Sequence, residues 1–120
     1  MSIDTNTGNF GGLFDDKITE AMVQKKVVSC ARGLGFGAEK FSSPAKRSVP
    51  DYLFTVGIFH FFIEFKAPGK EATEAQAKDH NKRRDRGELV FVCDDIEAGK
   101  TIVRNMWAYY QRYIEPITEI

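Results

Sequence analysis

Three residues have the types and spacing to do chemistry together: Asp51, Glu64 and Lys66. Glu64 lies in the apolar run IFHFFIEF, where an unpaired charge would cost several kcal/mol, on the order of the penalty for any isolated buried ion. A second carboxylate beside it raises that cost unless a cation joins the pair. Oxygen-only ligation with positions left for water suits Mg²⁺ or Mn²⁺. A cation of that kind lowers the pKa of a bound water and neutralises charge building on a phosphate. Lys66 is suited to orient the water or to stabilise the phosphorus centre, and the backbone carbonyl of Phe65 is a further candidate ligand. The competing reading is a buried salt bridge from Lys66 to Asp51 or Glu64 with a purely structural role.

The elements around these residues must bring them together. Tyr52 to Val56 and Ile58 to Phe65 read as a β-hairpin turning at Gly57. Residues equally distant from an antiparallel turn face each other, which makes Asp51 and Glu64 near neighbours, within a register error of one or two residues. Lys66 follows Glu64 by two, so strand alternation puts both on one face. The second run is apolar on both faces and should be a central strand.

Upstream, Ile18, Ala21, Met22, Val28, Ala31 and Leu34 recur at helical spacing over Asp15 to Leu34, with Asp15 or Asp16 as cap and Gly33 and Gly35 as closure. Ala38 to Phe41 is a candidate edge strand. Thr73 opens a helix to about Arg84, stopped by Gly87, and Thr73-Glu74-Ala75-Gln76 is a capping box. Leu89 to Cys93 reads as a buried strand. Ala98 to Ile114 reads as the last helix, with Ile102, Met106, Tyr110 and Tyr113 on one face. The expected order is αβββαβα, an α/β fold with a mixed sheet, because the strand–helix–strand unit needs a crossover. Residues 1–12 read as a flexible polar tail and residues 13–120 as a single domain.

The charges balance at 17 basic and 17 acidic, but not uniformly. Residues 40–86 are net basic and the flanks net acidic, the pattern expected of a phosphate-binding face on a neutral protein. Within it, Lys46, Arg47, Lys70, Lys82, Arg83, Arg84 and Arg86 are candidate contacts to a nucleic-acid backbone, although a cationic helix end also complements the helix dipole. Cys30 and Cys93 lack metal-ligand spacing and read as free buried thiols in a reducing compartment. No segment reads as a signal peptide or a membrane span.

The stretch Val49-Pro50-Asp51, then Ile63-Glu64-Phe65-Lys66-Ala67-Pro68-Gly69, then Gln76, then Val90-Phe91-Val92-Cys93 resembles the virus-type replication-repair nuclease (VRR-Nuc) domain of the PD-(D/E)XK nuclease superfamily. The similarity runs from the first helix to Cys93. It implies a restriction-endonuclease-like core and a divalent-metal phosphodiesterase acting on DNA. Stand-alone members of this size resemble phage-borne homodimers that cut branched DNA such as four-way junctions. The resemblance also implies two further site residues: Glu20 on the first helix as a third carboxylate, otherwise a solvated glutamate, and Gln76 as a helical residue beside the metal.

The expectation is therefore a Mg²⁺- or Mn²⁺-dependent DNA endonuclease in which Asp51, Glu64, the Phe65 carbonyl and Glu20 hold the metal and Lys66 and Gln76 serve the water. No separate DNA-reading element is apparent, so structure selectivity or weak sequence preference is expected, not a restriction-type target site; the resemblance implies branched DNA, and a homodimer would supply paired active sites. The expected location is cytoplasmic, in a bacterial host if the chain is phage-encoded. A non-catalytic nucleic-acid-binding accessory protein and a nuclease subunit of a larger repair complex are the competing classes. His60 reads as a hydrogen-bonded interior histidine and His80 as a side chain that could at most face the substrate. Trp107, Tyr110 and Tyr113 read as core or dimer interface.

Overall fold

The computed structural model describes residues 17–46 and 48–119. The expected tail, the candidate caps Asp15 and Asp16, and Arg47 lie outside the described residues. The elements run α1 (Glu20–Leu34), β1 (Gly37–Lys40), β2 (Tyr52–Val56), β3 (Phe59–Phe65), α2 (Glu74–Asp85), β4 (Val90–Cys93) and α3 (Ile96–Tyr109). A π-helical turn, Tyr110–Ile114, and a short α4, Glu115–Thr118, prolong the last helix. This is the expected αβββαβα order, an α/β fold.

The four strands form one mixed sheet in the order β1-β2-β3-β4. β1 and β2, and β2 and β3, are antiparallel, while β3 and β4 are parallel across the α2 crossover. Gly57 turns the hairpin at φ +58°, a left-handed conformation that glycine adopts without steric cost. The pair Val56–Phe59 closes the turn, so Ile58 belongs to the turn and is exposed.

Strand alternation sorts β3 into two faces. Phe59, Phe61, Ile63 and Phe65 join Phe54, Phe36 and Cys93 in the core, which α1 covers with Val23, Val27, Val28 and Ala31, and α3 with Val103. Phe54 and Phe61 stack at 4.9 Å across the hairpin, and Trp107 meets Phe36 edge-on at 5.2 Å. Gly99 permits the closest approach of α3 to α1, because a Cβ there would collide with Val27 and Cys93. The opposite face of β3 carries His60, Phe62 and Glu64, and α2 lies on that side.

The boundaries differ from expectation at both ends. α1 begins at Glu20, with the Thr19 hydroxyl accepting the Met22 N–H at 3.1 Å, so a threonine provides the cap. α3 begins two residues earlier than expected, because the Asp95 carboxylate caps it by accepting the Ala98 N–H at 2.8 Å. The expected continuous helix to Ile114 gives way to the π turn after Tyr109. Tyr110 still packs on the core, but Tyr113 is exposed. Cys93 is buried and Cys30 half-buried, both free. Among the described residues no helix is long and apolar enough to cross a membrane.

Candidate active site

The β2–β3 ladder runs from Val56–Phe59 to Tyr52–Ile63, and the next pair outward is Asp51 and Glu64. The aspartate is held there by the backbone: its Oδ2 accepts the Phe65 N–H at 2.9 Å. Its carbonyl accepts the Phe41 N–H at 2.7 Å, tying the strand end to the loop beyond β1. Pro50, which has no N–H to satisfy, is buried immediately before it. Lys66 is anchored by its own N–H, which donates to the Cys93 carbonyl at 2.9 Å. Glu64 and Lys66 thus extend from the same end of the central strand, beside Asp51.

Glu64 is 2% exposed, a rare condition for a glutamate. Its Oε2 accepts a hydrogen bond from Gln76 Nε2 at 3.0 Å and lies 3.9 Å from Lys66 Nζ. Among the described residues its Oε1 has no hydrogen-bond partner. Burial and the neighbouring Asp51 carboxylate push the Glu64 carboxyl up to about 8, against a partial offset from Lys66. Glu20, exposed at the first turn of α1, is close enough to add to that repulsion.

Gln76 does two things at once. Its backbone N–H donates to the Thr73 hydroxyl at 3.2 Å and its side-chain oxygen accepts the Thr73 N–H at 2.9 Å, completing the capping box. The remaining amide nitrogen is the one that reaches Glu64. A single side chain therefore fixes the start of α2 and one oxygen of the buried acid.

His80, one turn further along α2, lies elsewhere than expected. It is 1% exposed and its Nε2 stands 3.6 Å from Glu64 Oε1, so it backs the acid from inside and does not face solvent. Burial, with Arg84, Arg83 and Lys66 nearby, holds its pKa below the usual histidine value. The spacing of Gln76 and His80 by four could have signalled that both face Glu64. The missing signal was an apolar stripe, because α2 is polar all round. His60, expected in the interior, is exposed and lines a cleft with Arg86, Glu88 and Leu89.

The basic candidates divide into engaged and free groups. Asp79, 4% exposed, receives Lys46 Nζ at 2.8 Å and Arg83 Nε at 2.9 Å. Burial alone would push its carboxyl up, but the two cations outweigh that and hold it below the ordinary range. Arg83 also reaches Glu88 at 3.2 Å and lies over the Phe41 and Phe62 rings. Arg84 donates twice to the Val90 carbonyl, and Arg86 pairs with Glu88 at 2.9 Å. Those arginines are spent within the fold, where α2 is fastened to β4 and to the loop before β2. Lys70 and Lys82 are exposed and appear in none of these pairs.

The donor set fits a hard cation. Asp51 and Glu64 supply oxygen ligands, and the Phe65 carbonyl immediately follows Glu64 in the chain. Among the described residues no three His, Cys, Asp or Glu side chains are already grouped at ligand spacing. An ion here would therefore rest on few protein ligands and keep several waters, as magnesium does.

No family model matches the sequence. A phage protein named "Putative nuclease p44", from Acyrthosiphon pisum secondary endosymbiont phage 1, is 38% identical over 78 residues, covering 64% of this chain and 84% of that protein. A solved structure described as a VRR_NUC domain superposes with a TM-score of 0.67 at 25% identity, covering 72% of this chain and 96% of that one. With this ancestry and this arrangement of strands and helices, the chain belongs to the VRR-Nuc family of nucleases.

Proposed function

We propose that this protein is a divalent-metal-dependent DNA endonuclease that hydrolyses phosphodiester bonds. The observation that carries the reading is the buried Glu64, set beside Asp51 at the end of the ladder with Lys66 Nζ 3.9 Å away. Two adjacent acids, one of them buried, repel each other unless a cation joins them. Asp51, Glu64, the Phe65 carbonyl and Glu20 would hold Mg²⁺ or Mn²⁺. The ion, when bound, supplies an acidified water and neutralises charge on the scissile phosphate.

The chain's own residues do the rest. Gln76 keeps the Glu64 carboxylate in one orientation, and Lys66 orients the attacking water or sets its positive charge against the phosphate. Lys70 and Lys82 are exposed and suited to contact DNA backbone. Structure-selective cutting of branched DNA fits a chain whose described elements all belong to the sheet and its covering helices. Ile58, Leu89, Tyr109 and Tyr113 expose apolar surface, and a cleft of about 440 Å³ lies between Ile58, Leu89, Tyr109 and Ile114. That surface supports a homodimer, in which two active sites would serve two strands.

The test is incubation with linear, flap, splayed and four-way DNA in Mg²⁺ and in Mn²⁺, with Lys66→Ala in parallel. Cutting by the wild type and not by the variant is expected, with four-way DNA cut best. Absence of cutting in either metal, with DNA binding retained, would establish a binding protein instead.

A further inference from the structure

Among the described residues, two buried side-chain polar atoms lack hydrogen-bond partners, and they face each other: Glu64 Oε1 and His80 Nε2. They lie 3.6 Å apart, just beyond hydrogen-bond length, in side chains 2% and 1% exposed. Leaving one such atom unsatisfied is costly, so two of them facing each other call for a pairing during the working cycle. Their placement is systematic. Gln76 and His80 are four residues apart on α2, on one helix face, and the first already donates to Glu64 Oε2 at 3.0 Å. One helix therefore presents a donor to each oxygen of one buried carboxylate.

We propose that His80 is a positioning residue for the metal site: its Nε2–H closes onto the inner oxygen of Glu64 and, with Gln76, fixes the carboxylate orientation that presents Glu64 to a divalent cation. This rests on the metal-dependent reading above. It adds a residue with no direct contact to metal or DNA. Donors behind a ligand of this kind typically contribute roughly 10–100-fold in metal affinity.

The measurement is Mn²⁺ binding to the full chain without DNA, by titration calorimetry, on the wild type, His80→Gln, His80→Leu and His80→Phe. Glutamine can place an amide donor near the Nε2 position, whereas leucine and phenylalanine fill the space without one. Each variant's melting temperature is recorded with its affinity. The expected result is affinity lowered roughly 10-fold or more in the leucine and phenylalanine variants and restored to within about 3-fold in the glutamine variant. The phenylalanine variant keeps the comparison available if leucine does not fold. Wild-type affinity in a folded apolar variant would overturn the proposal, as would a glutamine variant that binds no better than the apolar ones. A wild type that binds no Mn²⁺ would overturn this inference together with the metal-dependent reading, whereas unchanged binding in the variants overturns this inference alone.

Discussion

Asp51 stands one residue pair beyond the last rung of the β2–β3 ladder, opposite Glu64, and accepts the N–H of the very next residue, Phe65, at 2.9 Å. The backbone of one strand thus positions the carboxylate of the other. The two acids are held side by side whether or not a cation is present, which is the preorganisation a metal site needs.

Asp51→Asn should retain the fold, because an amide oxygen can still accept the Phe65 N–H, yet it removes a negative charge from the site. Cleavage in Mg²⁺ should fall by roughly 100-fold or more, while DNA affinity stays near wild type, since stabilisation of a charged transition state is typically of that size. Single-turnover cleavage and a binding isotherm on the same substrate check this. Unimpaired cleavage would remove Asp51 from the site.

Thr73→Ala and Gln76→Ala separate the two duties of the capping box. Loss of the threonine hydroxyl should cost about 1 kcal/mol of stability and leave cleavage unchanged. Loss of the glutamine should cost a similar amount and also reduce activity or metal affinity roughly 10-fold or more, because it frees Glu64 Oε2. Denaturant melts and cleavage rates of the two variants decide it. Equal activity in both would make Gln76 a cap alone.

The metal-free protein should lose stability as the pH rises from 4.5 to about 8, the interval between the ordinary value of Glu64 and its raised folded value. In that window the folded state holds a proton that unfolding releases, so rising pH favours unfolding; below the window the contribution is fully present. The melting temperatures of wild type and Glu64→Gln should differ in slope inside that window and run parallel outside it, where Glu64 has the same protonation in the folded and unfolded chain. Adding Mn²⁺ should restore the alkaline side. Identical slopes in the two proteins would mean Glu64 carries no raised pKa.

Asp79→Ala should destabilise by about 3–5 kcal/mol, because it strands a mostly buried Arg83. Lys46→Ala should cost under about 1 kcal/mol, since that lysine is half exposed. Urea titrations of both variants measure the difference. A mild Asp79 variant would mean that Arg83 finds enough compensation in Glu88 and the two phenylalanine rings.

Much of the sheet and of its chemical end was legible before any coordinates. The glycine turn and the parity of two apolar runs determined that Asp51, Glu64 and Lys66 share one end of a hairpin, because antiparallel register and strand alternation are local geometry. The capping box at Thr73 and Gln76 was legible for the same reason. What required the tertiary structure was α2. Its sequence, EAQAKDHNKRRD, is polar on every side, so no hydrophobic pattern indicates which side chains turn inward. Asp79 and His80 are buried because partners distant in sequence await them: Lys46 in the loop before β2 for one, and Glu64 on β3 for the other. The chain's own periodicities determined the strands and the acids upon them. Only long-range packing decided which polar residues of a uniformly polar helix would leave water, since that depends on charge and hydrogen-bond partners no local pattern contains.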